Sequence, residues 1–205
     1  AMNKSLVILC GGDSSRMGIN KALLPFTDKC LLEFIVDKYS PYFDKIYLSV
    51  NQRGDYSHLG LDVIEIPDIY NNAGQSGAIL SSLTMLSEDR AFFMSVDKPF
   101  LDPKVGVFLF ENSENHDITT FDFSGWDEEI TCGVYKRKCI ATMGKCILTG
   151  NVDSLSIQSK CNSLKLPLDS LEDVCELSPL QLFYGIKDRS SYYMALFAAL
   201  KGNFI

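Results

Sequence analysis

Apolar residues in this chain fall into short runs that alternate with helical spacings, and the two patterns predict strands and helices in turn. Ser5–Cys10 is an apolar run closed by Gly11 and Gly12, which reads as a buried strand. Thr27 or Asp28 is placed to cap a helix carrying Leu31, Leu32, Phe34, Ile35 and Tyr39. Lys45–Val50 and Asp62–Ile66 read as the second and third strands. Ser76 starts a helix with Ile79, Leu80, Leu83 and Leu86 on one face, and Ala91–Val96 is a fourth strand, apolar until Ser95. Asp102 then opens a helix through Val105, Phe108 and Leu109. This order implies right-handed crossovers and helices on both faces of a sheet. The expected fold class is three-layer α/β/α with a mostly parallel central sheet, Rossmann-like.

Beyond about residue 115 the pattern loosens. Asp117–Phe121, Ile130–Tyr135 and Ser163–Leu166 read as strands, and Cys139–Leu148 and Tyr192–Leu200 as helices. Ser124–Glu129 is acidic and turn-like, a candidate mobile loop with Trp126 as a candidate anchor. No repeat, low-complexity tract or linker divides the chain, so a single domain over 1–205 is expected.

Composition narrows the classes of function. The chain has 205 residues, 46% hydrophobic and 22% charged, enough to bury one substantial core. A net charge of -7 argues against broad binding to nucleic acid or an anionic membrane, while leaving room for a small anionic ligand at a local basic loop. The seven cysteines (Cys10, Cys30, Cys132, Cys139, Cys146, Cys161 and Cys175) are odd in number and form no CxxC pair. That spacing suits neither a zinc site nor a secreted disulfide framework, so they read as reduced thiols of a cytoplasmic protein. No apolar run approaches the roughly 20 residues of a membrane span. The N-terminus has no signal-peptide pattern, and Ala1 before Met2 reads as a cloning remnant.

The chemistry concentrates in Leu9-Cys10-Gly11-Gly12-Asp13-Ser14-Ser15-Arg16-Met17-Gly18-Ile19-Asn20-Lys21. Glycines after a strand let backbone N–H groups approach an anion, and Arg16 and Lys21 add fixed positive charge, as a loop cradling a nucleoside triphosphate requires. The bland alternative is a tight surface turn with scattered charges. The spacing fits neither GxxxxGK[ST] nor GxGxxG. In open α/β sheets ligands bind beyond the carboxyl ends of strands. Here Gly11 to Lys21, Asn51, Asp68 and Asp97 follow four successive strands. Asp97, before Lys98-Pro99-Phe100, is placed either to hold Mg²⁺ or to form a turn. Asn51 and Asp68 suit contacts to a base or ribose, although each alone is more often a turn former. His58 and His116 have no nucleophile nearby in sequence and point to no triad.

These residues resemble the nucleotidyltransferases of molybdenum-cofactor maturation, the MobA-like molybdenum cofactor guanylyltransferases. The signature LxGGxSxRMGxxK appears as Leu9 to Lys21 and continues as Ala22-Leu23-Leu24-Pro25-Phe26. Val50-Asn51-Gln52-Arg53, Gly60 to Glu65, Asp68 and Asp97-Lys98-Pro99-Phe100-Leu101 extend it over roughly residues 5–110. The resemblance implies a nucleotide-binding half at 5–110 and an acceptor-binding half at 111–205. It places the nucleotide against Leu9, Cys10, Gly11 and Gly12, its phosphate on Lys21, its nucleoside on Asn51 and Asp68, and Mg²⁺ on Asp97. Arg16, Lys21 and Asp97 are then the catalytic residues. GTP and molybdopterin are the implied substrates, and transient contact with a cofactor-delivery or acceptor protein is left open.

Three segments depart from the pattern. Gly74-Gln75-Ser76-Gly77-Ala78 stands for a GPLAG-like stretch near the base, Glu128-Glu129 for a histidine-proline pair, and Gly185-Ile186-Lys187 for an NxN segment. Related readings therefore stay open: a cytidylyltransferase for molybdopterin, a sugar- or isoprenoid-phosphate nucleotidyltransferase, or a non-catalytic nucleotide-binding module.

Overall fold

The structure, a computed structural model, describes residues 3–12, 18–70 and 72–203. Its first half contains β1 (Ser5–Leu9), a hairpin of β2 (Pro25–Phe26) and β3 (Lys29–Cys30), α1 (Leu31–Tyr39), β4 (Lys45–Val50) and β5 (Ile64–Pro67). Then come α2 (Gly74–Met85), β6 (Arg90–Ser95) and α3 (Pro103–Glu111). The second half contains β7 (Ile118–Phe121), β8 (Cys132–Lys136), α4 (Ile140–Leu148), α5 (Ser154–Lys160), β9 (Ser163–Leu166), α6 (Pro179–Leu182) and α7 (Arg189–Leu200).

Among the described residues seven strands form one sheet, ordered β5-β4-β1-β6-β8-β7-β9. β1 pairs in parallel with β4 and β6, and β8 runs antiparallel to both β6 and β7. Alternation along β1 divides the core. Leu6 and Ile8 face α1 and α3 together with Leu32, Tyr39, Val105 and Leu109. Val7 and Leu9 face the opposite layer with Ile79, Leu80 and Leu83 of α2 and Met143 and Cys146 of α4. This is the expected three-layer, mostly parallel fold. Among the described residues no helix is long and apolar enough to cross a membrane.

Several local expectations are corrected. Neither Thr27 nor Asp28 caps α1. Thr27 sits at φ 62 in the tight turn joining β2 to β3, and the cap falls on Cys30, whose N–H donates to Glu33 Oε1 at 3.1 Å. α2 starts at Gly74, two residues before Ser76; the Ser76 hydroxyl is buried and donates to the Val152 carbonyl instead. The helix ends at Met85, and Leu86 is buried just beyond it. β5 starts at Ile64 rather than Asp62, and β8 lies two residues later than expected at its start. α5, capped by Asp153, and α6, capped by Ser178, fall outside the expected elements. Asp102 does cap α3, accepting the Lys104 N–H at 2.9 Å. Trp126 packs edge-on against Phe123 and Phe183, which anchors the 124–129 loop to the core. All seven cysteines are free thiols, and Cys132, Cys139, Cys146 and Cys175 are buried.

Candidate active site

The strand ends build the site. Val96 continues β6 and donates to the Leu9 carbonyl at 3.1 Å, so the ends of β1 and β6 stay together. On the other side, the Cys10 and Gly11 N–H groups both donate to the Ser49 carbonyl, at 2.9 and 3.2 Å. Those two amides are therefore committed to the scaffold rather than turned to an anion. A Cβ on Gly11 would lie 2.7 Å from Asn51 Oδ1, so a side chain there has to displace the Asn51 amide. Gly12 has φ +130, a conformation that side chains disfavour.

Lys21 is held by its neighbour. Asn20 caps the short helical turn Lys21–Leu23 by accepting the Ala22 N–H at 3.1 Å. Its amide also donates to the Tyr56 hydroxyl at 2.9 Å. Tyr56 lies 3.4 Å from the Cys10 carbonyl, which links the far end of the loop back to β1. Burial raises the Cys10 thiol far above its ordinary pKa, so it is a neutral lining group and not a nucleophile.

Two cavities open along this edge. The larger, about 550 Å³, is lined by Asn51, Asp68, Tyr70, Asn72 and Gly74 among others. The smaller, about 220 Å³, is lined by Cys10, Asn20, Lys21, Ser95 and Asp97. Leu9, Gly11, Gly12, Asn51 and Gln75 border both. The structure thus brings Lys21 and Asp97 to one cavity and Asn51 and Asp68 to the next, with the glycines between. Arg16 lies outside the described residues.

Asp68 combines its two readings. Its Oδ1 accepts the Tyr70 N–H at 2.9 Å and the Ser81 hydroxyl at 3.1 Å, while its carboxylate borders the larger cavity. Asp97 is different: its Oδ1 is buried and has no hydrogen-bond partner among the described residues. A carboxylate oxygen that makes no hydrogen bond, with the Lys98 ammonium 3.9 Å away, borders a polar cavity and fits a hard cation. No cluster of three or more His, Cys, Asp or Glu suited to a metal occurs among the described residues. One carboxylate suits Mg²⁺ that is shared with substrate phosphates better than an all-protein cage.

Sequence reasoning missed Asn20 and Tyr56, and named Gln75 only within the 74–78 segment near the base. Asn20 carried a signal, an amide directly before Lys21 at a possible cap. Gln75 bonds to Thr131, 56 residues away, and only the fold shows that pairing. The segment after β6 is braced from α1, where the Lys38 ammonium donates to the Pro99 carbonyl at 3.1 Å and the Tyr39 hydroxyl to the Leu101 carbonyl at 2.8 Å. Burial holds Lys38 down to a pKa of about 8, against the opposing pull of Asp102.

A small polar cavity bordered by Lys21 and Asp97 thus adjoins a larger one bordered by Asn51 and Asp68 at the carboxyl edge of a mostly parallel sheet. The family model for the MobA-like NTP transferase domain matches residues 6–160. The chain belongs to this family and is a nucleotidyltransferase. It is 31% identical over 143 residues to a probable molybdenum cofactor guanylyltransferase of Carboxydothermus hydrogenoformans, covering 70% of this chain and 71% of that one. A protein of the same description from Clostridium perfringens strain SM101 is 32% identical over 145 residues, with 70% and 71% covered. Among solved structures, molybdopterin-guanine dinucleotide biosynthesis protein A from Archaeoglobus fulgidus superposes with a TM-score of 0.82 at 21% identity, covering 96% of this chain and 99% of that one.

Proposed function

We propose that the chain transfers GMP from GTP to the phosphate of molybdenum-loaded molybdopterin, forming the guanine dinucleotide cofactor and releasing pyrophosphate. The observation that carries this reading is the joint lining of one cavity by Lys21 and Asp97, next to the cavity of Asn51 and Asp68. The names of the relatives supply the acceptor.

An oxygen of the acceptor phosphate attacks the α-phosphorus, the bond from that phosphorus to the α,β-bridging oxygen breaks, and pyrophosphate leaves. The acceptor is already an anion, so no general base is needed, and the work is positioning and charge neutralisation. Lys21, with Arg16, takes up charge on the triphosphate and the leaving pyrophosphate. Asn51 and Asp68 orient the nucleoside. Asp97 would hold Mg²⁺, which would supply charge neutralisation of the phosphates.

Gln75 favours a second reading of the base. It stands in the segment that departs from the family pattern and borders both cavities, so CTP is a rival donor at the same site. The test is a thermal-shift panel of GTP, CTP, ATP and UTP with and without Mg²⁺, followed by pyrophosphate release with molybdopterin. Selective Mg²⁺-dependent stabilisation by GTP, with pyrophosphate release, is expected. Stabilisation by CTP moves the assignment to cytidylyl transfer, and binding without release points to a regulatory module.

A further inference from the structure

Three segments of the chain bring a connected set of charges beside Asp97. Lys98 is 3% exposed, and its ammonium lies 3.9 Å from Asp97 Oδ1 and 3.5 Å from Glu128 Oε1. The other Glu128 oxygen lies 3.1 Å from the Lys187 ammonium, which is about half exposed. Ile186 donates its N–H to the Asp97 carbonyl at 2.9 Å, and the Lys187 N–H donates to the Ser191 hydroxyl at 2.8 Å. The 185–187 segment is thereby pinned to the end of β6 and the start of α7.

Gly185 makes the arrangement possible. A Cβ at that position would stand 2.5 Å from Lys98 Nζ. The space beside Asp97 that a side chain at 185 would enter is filled by an ammonium group. Lys98, Glu128 and Lys187 thus form one connected unit.

Fold stability does not account for this unit. A buried ammonium costs free energy unless it is paired, and an exposed pair such as Glu128–Lys187 contributes little. Charge does account for it. Asp97 and Glu128 carry two negative charges, and Lys98 and Lys187 cancel them. A divalent cation on Asp97 then leaves this set at about +2, which matches a phosphate monoester dianion; without the two lysines the set would be neutral.

We propose that Lys98, Glu128 and Lys187 form the anchoring subsite for the acceptor's phosphate monoester. Lys187 is the group that touches the phosphate. Lys98 is a positioning residue that holds Asp97 and adds its charge from behind, and Glu128 aims both lysines. This rests on the donor-site reading above and deepens it by naming what holds the acceptor.

Phenyl phosphate titrated calorimetrically into the protein tests this, with the protein first saturated with Mg²⁺ and the α,β-methylene analogue of the nucleoside triphosphate that stabilises it most. Wild type is expected to bind the monoester. Lys187→Gln should weaken that binding at least tenfold and Lys187→Arg should restore most of it, with nucleotide affinity within about twofold throughout. Gly185→Ala, whose methyl group displaces only the flexible end of Lys98, should weaken monoester binding severalfold. Wild type that binds nucleotide but no phenyl phosphate, or Lys187→Gln that binds it as tightly as wild type, overturns the proposal alone. Wild type that takes up no magnesium–nucleotide analogue overturns the donor-site reading, and the subsite falls with it.

Discussion

Gly11 and Asn51 meet so closely at the mouth of the site that a methyl group on Gly11 would stand 2.7 Å from the Asn51 side-chain oxygen. The contact joins the ends of β1 and β4, and both residues border both cavities. Gly11→Ala must push the Asn51 amide aside or open the two strand ends. Nucleotide affinity is expected to fall at least tenfold, while the melting temperature changes little, because both residues are exposed and the Asn51 side chain can swing aside. Calorimetric titration with Mg²⁺ and nucleotide, beside a melting curve, checks both. Unchanged affinity would remove Asn51 from the nucleotide's surroundings.

Lys21→Ala and Asp97→Ala separate chemistry from folding. Neither side chain fills the core, and losing an electrostatic group of this kind typically costs about 3 kcal/mol of barrier, roughly a hundredfold in rate or more. Pyrophosphate release should therefore collapse in both variants while circular dichroism stays that of wild type. Wild-type turnover in either folded variant would refute the assignment of that residue.

How much of this was legible in the sequence follows from the range of the interactions. β1, β4, β6 and α3 are set by local patterns, an apolar run or an Asp-Pro cap, and these could be read directly. The placement of Asn51, Asp68 and Asp97 at one edge follows from the parallel order of the strands. The cap of α1 falls on Cys30 rather than on Thr27 or Asp28, because those two residues form the turn of a hairpin whose two-residue strands are too short to leave a period. Glu128-Glu129 and Gly185-Ile186-Lys187 stand out in the sequence as departures, but their link through Lys98 is not legible there, since only the fold closes the distances between them.

Gly106 shows the same long-range control in the core. A Cβ there would meet the Phe92 ring at 2.5 Å and the Phe43 ring at 2.8 Å, and those two rings stack at 5.9 Å. Alanine gains about 1 kcal/mol of helix propensity in α3 but overpacks rigid aromatic neighbours at a typical cost of about 1–3 kcal/mol. Gly106→Ala is expected to lower Tm in a thermal melt, and a raised Tm would show that the rings yield.

Lys38 makes a pH prediction. Its folded pKa of about 8 lies below the ordinary lysine value of 10.5, because burial penalises the ammonium. Between those two values the unfolded chain binds more protons than the folded one, so this group's contribution to stability rises with pH. Below pH 8 the full cost of burying the charge is present. Wild type should therefore gain stability relative to Lys38→Met from about pH 8 to 10.5, by up to about 1.4 kcal/mol per pH unit, in paired denaturant titrations. A stability difference that does not change across this window would mean that Lys38 is not desolvated.

The most direct measurement is a crystal structure of the protein with Mg²⁺ and a non-hydrolysable nucleoside triphosphate analogue. The expected result has the nucleoside against Asn51 and Asp68 and the polyphosphate between Lys21 and Asp97. A nucleotide bound elsewhere, or phosphates turned away from Asp97, would contradict the account.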